Sequence, residues 1–108
     1  RILSVTSAAC DEGRARRYTV YGQVFFAGAD RFSRVFDYQE VIDKVYIDVS
    51  RAHFWDITAV SALDKIVIKF RREGTDVEVI GMNEASATLV DKFAIHDKDG
   101  ADDMLLNH

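Results

Sequence analysis

Three histidines (His53, His96 and His108), one cysteine (Cys10) and a run of carboxylates and hydroxyls from Asp48 to Ser61 are the side chains with chemistry at neutral pH. His53 stands three residues before Asp56, and His96 is followed directly by Asp97. Either pair has the groups of a general acid–base couple, but that role needs a frame that positions substrate and stabilises charge. The motifs that build such frames are missing. The sequence holds no glycine-rich phosphate loop, dinucleotide fingerprint, nucleophile elbow or zinc-protease helix. The histidines and Cys10 do not fall at metal-ligand spacings. Cys10 sits beside Asp11 and Glu12, surroundings that do not activate a thiol, so packing is its expected role. The chain is therefore read as non-catalytic, with no metal and no cofactor.

The stretch from Asp48 to Leu63 carries more information. It leads from the end of the clearest strand, through an expected loop over residues 50–55, into the start of the clearest helix. In open α/β sheets that edge is where ligands and partners bind. Ser50, His53, Asp56, Thr58 and Ser61 are the candidate binding or regulatory residues. Asp56 also has a structural role open to it, as an N-cap accepting from the backbone of Thr58 or Ala59. Phe54 and Trp55 are placed to seal the junction of sheet and helix. Unpaired N–H groups at the helix start favour an anion, so weak anion or nucleotide binding is a further reading. On the outer side of the same helix, Thr58, Ser61, Lys65, Lys69 and Arg72 recur every three or four residues, giving a polar, mostly basic stripe. Its bland reading is a solvated surface with Lys69 paired to Glu73; its sharper reading is a dock for an acidic partner.

The elements that must position these residues follow from periodicity. A weak edge strand is expected over residues 2–7, a polar turn over 10–17, a strand over 18–21 and a short one over 24–26, with a bulge or bend at Gly22. Phe32, Val35 and Phe36 mark a short helix over 29–37. Val45, Ile47 and Val49 alternate in a strand over 44–49. Ile57, Val60, Leu63, Ile66, Val67 and Phe70 form the apolar stripe of a helix over 57–73, ended by Gly74. A strand over 76–80 follows, then a helix over 84–94 with Asn83 as N-cap and Leu89, Val90 and Phe93 inward. An acidic stretch with Asp97, Asp99, Asp102 and Asp103 ends in a helical turn through Met104, Leu105 and Leu106. This order implies one α/β domain with a mixed sheet of four to five strands and helices in successive β-α turns.

Composition narrows the classes further. The 108 residues, 48% hydrophobic and 30% charged, suit one folded domain rather than a disordered chain. A net charge of −4 and a pI near 5.2 argue against a nucleic-acid partner. One cysteine excludes an internal disulfide, and the lack of proline excludes a polyproline linker. No apolar run approaches the roughly 18 residues of a membrane helix, and no signal peptide is visible. The first residue is Arg1 rather than Met, from which the chain is expected to be a piece of a longer protein.

The run from Asp48 to Gly74, with Gly81-Met82-Asn83-Glu84-Ala85 and Tyr21-Gly22-Gln23-Val24-Phe25-Phe26, resembles a STAS domain, the module shared by sulphate transporters and anti-sigma-factor antagonists. The likeness covers residues 18–106 and is nearest to the C-terminal STAS domain of bacterial SulP-type anion permeases. That family's fold is a small sheet wrapped by helices, and its members are not enzymes. Stand-alone antagonists bind an anti-sigma kinase unless a serine after a conserved aspartate, at the start of a helix, is phosphorylated. Here Asp56 matches the aspartate, Ile57 occupies the serine position and Thr58 the next one. The motif's glycine is also absent, with Val60 near its place. The resemblance then implies a regulatory domain on the cytoplasmic face of the bacterial inner membrane. Its partner would be the permease's own transmembrane part, a cytoplasmic regulatory protein or a second STAS copy. The alternative is a stand-alone antagonist, with Thr58 or Ser61 substituting for the missing serine.

Overall fold

The computed structural model describes residues 3–87 and residue 89. Strand β1 (Ser4–Cys10) pairs antiparallel with β2 (Ala15–Val24), closing at Cys10 opposite Ala15. Asp11 and Glu12, expected in a turn, form it with positive φ values of 52° and 58°. Helix α1 (Ala29–Arg34) leads into β3 (Lys44–Phe54), and α2 (Ile57–Arg72) into β4 (Asp76–Ile80). Both later strands join in parallel, so the sheet is mixed, with four strands in the order β1-β2-β3-β4. Parallel neighbours need a crossover, and the two longer helices supply it. A short α3 (Met82–Ala85) follows β4.

Burial of one sheet face under the helices holds this together. Tyr18, Val20 and Val24 from β2, Val45, Ile47, Val49, Ala52 and Phe54 from β3, and Val77 from β4 are buried against Phe32, Phe36 and α2. The helix face that meets them is Ala59, Ala62, Leu63, Ile66 and Phe70. This stripe is rotated from the expected one: Ile57 is 58% exposed, and Val60 and Val67 are only half-buried. Small Ala59 and Ala62 let the helix lie close to the sheet, a preference for close approach that hydrophobicity alone does not reveal.

Other expectations shift for identifiable reasons. The edge strand extends to Cys10, because the hairpin ladder continues as far as the turn allows. Of the strand expected over 24–26 only Val24 is strand, and Phe26–Gly28 form a 3-10 turn; the segment over 18–21 lies in a longer strand, β2, which also takes up residues 15–17 of the expected turn. The bulge lies in its partner instead: Thr19 pairs with Asp48 but Tyr21 with Arg51, so β3 has one extra residue around Val49 and Ser50. The expected loop over residues 50–55 is consequently mostly strand, through Phe54. One extra residue reverses the side-chain phase, which keeps Ala52 and Phe54 inside after Val49. Helix α1 stops at Arg34, and Val35 is 45% exposed while Phe32 and Phe36 are buried. Asn83 lies inside α3 rather than capping it; Gly81 holds the N-cap position. Of the helix expected over 84–94, Leu89 is buried, while Val90 and Phe93 lie outside the described residues. So do His96, His108, the acidic stretch and the turn expected at Met104–Leu106.

Candidate functional site

Strands β2 and β3 finish side by side at Val24 and Phe54 and form one edge, whereas β4 finishes at Ile80, in register with Asp48 and beside the bulge. The edge is tied across by the Trp55 N–H, which donates to the Val24 carbonyl at 3.1 Å. Beside this bond the Phe25 and Trp55 rings stack, with centroids 5.8 Å apart and planes 13° from parallel. The Trp55 indole N–H donates to Gln23 Oε1. Tyr21, Phe25 and Ile57, at 37%, 47% and 58% exposure, leave apolar surface open on the residues leading into and out of this edge. Large apolar side chains left in water cost solvation and commonly mark a contact surface.

Asp56 caps α2 as the sequence suggests. Its Oδ1 accepts from the Ala59 N–H at 2.8 Å, and its extended backbone lets the chain turn from strand to helix. Thr58 is exposed on the first turn, and Ser61 is half-buried one turn on. Glycine is required at the far end of the helix, where Gly74 takes φ +87° after the last turn.

Ser50 does its work within the bulge. Its hydroxyl and its backbone N–H both donate to Asp48 Oδ1, at 2.7 and 3.0 Å, while Arg17 grips Oδ2 at 2.6 Å. The Ser50 hydroxyl bond, above all, holds the Asp48 carboxyl below its usual range, helped by the Ser50 backbone and the Arg17 charge against partial burial. Gly81 seals the other side: a Cβ there would stand 2.5 Å from Ser50 Cβ and 2.6 Å from its Cα, and φ is +80°. Only glycine meets both conditions. The turn before α3 is thus packed directly on the bulge.

His53 pairs in register with Gln23 and is exposed on the sheet face opposite Ala52 and Phe54. It belongs to β3, whereas Asp56 Oδ1 is engaged by the start of α2. Asp56, Thr58 and Ser61 share the start of α2, whereas Ser50 lies within β3 at the bulge and His53, further along that strand, faces away from the core. The stacking of Trp55 on Phe25 and the outward turn of Ile57 are what the sequence reading did not anticipate. Trp55 does not seal the junction as Phe54 does; it is half-buried against Phe25. A usable signal was the crowding of aromatics at the ends of two adjacent strands.

The basic stripe on α2 is as expected in position, with Lys65, Lys69 and Arg72 exposed. Lys69 does not pair with Glu73; its ammonium lies 4.5 Å from the centre of the Tyr38 ring. Among the described residues no group of three metal-ligating side chains occurs, and no helix is long and apolar enough to cross a membrane.

Comparison with known proteins agrees with this geometry. Residues 11–102 match the family model described as the STAS domain. The solved structure of an antisigma-factor antagonist STAS domain from Rhodobacter sphaeroides is similar, with a TM-score of 0.78 and 55% identity, covering 80% of this chain and 94% of that one. A putative sulfate transporter, YbaR of Bacillus subtilis (strain 168), is 44% identical over 92 residues. That match takes in 85% of this chain but only 19% of the transporter's length. A likeness to the solved structure of Mglu, at 20% identity and a TM-score of 0.53 over 67% of this chain and 18% of that one, concerns the fold alone.

Proposed function

The chain belongs to the STAS domain family, and from that premise we propose that it is a non-catalytic protein-docking module of the antagonist type. Its contact surface is the edge built from Phe25, Trp55, Asp56, Ile57, Thr58 and Ser61. The observation that carries the reading is 55% identity across 94% of a solved domain described as an antisigma-factor antagonist. The exposed apolar groups at the edge support it, since docking surfaces use buried aromatic and aliphatic anchors. A non-catalytic role is supported by how the polar groups are used: Asp48 is taken up by Ser50 and Arg17, and Asp56 by Ala59. The Asp56 carboxylate at the start of α2 also works against anion or nucleotide binding there, by like-charge repulsion.

In this reading position 57 is an anchor rather than a switch. Isoleucine has no hydroxyl to phosphorylate, and the nearest exposed hydroxyl on the first turn is that of Thr58. Calorimetric titration with anti-sigma-factor kinases of the same organism tests the proposal. Saturable binding that weakens about tenfold or more on Ile57→Arg is expected, as for a contact at the centre of an interface. No binding to any such kinase would remove the antagonist reading.

One observation favours a second reading, the regulatory domain of a SulP-type anion permease. The 44% identity to a putative sulfate transporter is joined by the loss of the phosphorylatable serine at Ile57. The partners would then be the transporter's own membrane part, a regulatory protein or a second STAS copy, on the cytoplasmic side. In an intact transporter carrying this domain, Thr58→Arg or Ser61→Arg would alter anion uptake at normal membrane abundance. Unchanged uptake would count against this surface.

A further inference from the structure

The two outer strands of the sheet differ in how their open edges are guarded. Strand β4 is five residues long and carries exposed carboxylates at Asp76 and Glu78. Strand β1 is seven residues long, and none of Ser4-Val5-Thr6-Ser7-Ala8-Ala9-Cys10 is charged or is proline. All seven pair with β2 without a register shift, so this edge is regular and has no bulge. Ser4, Thr6, Ser7, Ala8 and Ala9 are exposed, and among the described residues no strand lies on the outer side of β1. Short length, charge, proline and bulges are the devices by which proteins block an open edge. Strand β4 has two of them; β1 has none.

An edge strand with alternate backbone N–H and C=O groups open to water is a template for a further strand. Charge decides which strand fits. A second copy, related by a twofold axis, sets each side chain of the edge opposite one from the same short segment, so a charge there meets its like. Seven neutral, small side chains in succession, in a chain with 30% charged residues, remove that repulsion. The nearest cations, Arg16 and Arg17 on β2, are already compensated by Glu40 and Asp48. A different protein needs no such neutrality, because it can match charge with opposite charge.

We propose that β1 is a self-association edge, on which the β1 of a second copy adds antiparallel and joins the two sheets into one. At full overlap Ser7 stands opposite its own counterpart at the axis, with Thr6 opposite Ala8, Val5 opposite Ala9 and Ser4 opposite Cys10 across it. Paired residues then share a face, so both copies keep their helices on the same side of the joined sheet. The inference does not depend on which partner the strand-to-helix edge binds.

Sedimentation equilibrium of the full chain tests it. A reversible dimer is expected, with Kd on the order of 10–100 µM for so small an interface. Thr6→Lys combined with Ala8→Lys sets ammonium groups against each other across the axis and should weaken association about tenfold or more, with the thermal unfolding midpoint little changed. Disulfide trapping reads the register. Opposite residues in an antiparallel pair alternate between a wide and a close spacing, and the Ser7–Ser7 and Ser4–Cys10 positions are of opposite kinds. Of Ser4→Cys with Cys10 kept, and Ser7→Cys with Cys10→Ser, one should therefore form the matching intermolecular disulfide with dissolved oxygen as oxidant, identified by peptide mass spectrometry. Glu78→Cys with Cys10→Ser, on the other edge, should not. Should the lysines unfold the chain, the small cysteines still decide. A parent that stays monomeric at about 1 mM, a dimer that the lysines leave intact in a folded variant, or the absence of both disulfides would each overturn the proposal.

Discussion

Two groups of aromatic side chains, of similar composition, have opposite fates in this molecule. One lies where α1 and the following loop meet α2: Phe36 stands 4.6 Å from Tyr18 and 6.0 Å from Phe70, centre to centre, and Tyr38 is 4.7 Å from Phe70. Its polar tips are satisfied inside, since the Tyr18 hydroxyl accepts from the Asp37 N–H and the Tyr38 hydroxyl donates to the Ser33 carbonyl. The other group, Phe25 and Trp55 with Ile57 nearby, sits at the strand ends and keeps much of its surface in water. Rings under two helices stabilise the fold by burial; rings at the edge leave that stabilisation to be collected on binding. Aromatic content alone does not separate the two roles; the layer in which each ring sits does.

Substitutions sharpen that contrast, beginning in the buried group. Phe70→Ala should cost about 3–5 kcal/mol in denaturant unfolding, since it opens a cavity beside three other rings, Tyr18, Phe36 and Tyr38. Gly81→Ala comes next, at about 1–3 kcal/mol, because it places a methyl on the Ser50 backbone and strains a left-handed φ. An unchanged unfolding midpoint would mean that the turn before α3 is not pressed on the bulge. Asp56→Ala should cost about 1 kcal/mol through loss of the cap.

The pH dependence separates the groups as well. Burial, with the nearby Tyr18, raises the Tyr38 hydroxyl to about 12 from an ordinary value of 10.0. The unfolded chain ionises first, so the stability held by neutral Tyr38 is lost as pH rises from 10 towards 12. Tyr38→Phe should flatten this alkaline slope in a series of thermal melts. Asp48 acts in the opposite range: its depressed carboxyl supports the fold above its ordinary value of 3.8, and that support is lost as pH falls through the folded value. At the exposed edge the effect on folding is smallest. Phe25→Ala should change stability by no more than about 0.5 kcal/mol, yet weaken partner binding about tenfold or more. A large stability loss there would erase the distinction between the two groups.

Much of this was legible before the fold was known. The strands at Val45–Val49 and at Val77–Val79, the helix that ends at Gly74 and the Asp56 cap are all local patterns. Periodicity and capping depend on near neighbours, so a single chain reveals them. The bulge at Ser50 was not legible, because an extra residue in one strand is defined only by the strand beside it. The same holds for the exposure of Ile57. It has the hydrophobicity of a core residue and the right spacing from Val60, but the approach of α2 to the sheet through Ala59 and Ala62 turns it outward.

The amino-acid sequence by itself determined the central strand, the long helix after it and the strand that follows, the mixed α/β class, the family and the absence of a hydroxyl at position 57. These rest on short-range patterning and on residue identity. Only the tertiary structure decided which aromatics are anchors and which are core, that Ser50 and Gly81 brace each other, and that Lys69 faces Tyr38 rather than Glu73. Each of those depends on the distance between segments remote in the chain, which packing sets and local sequence does not.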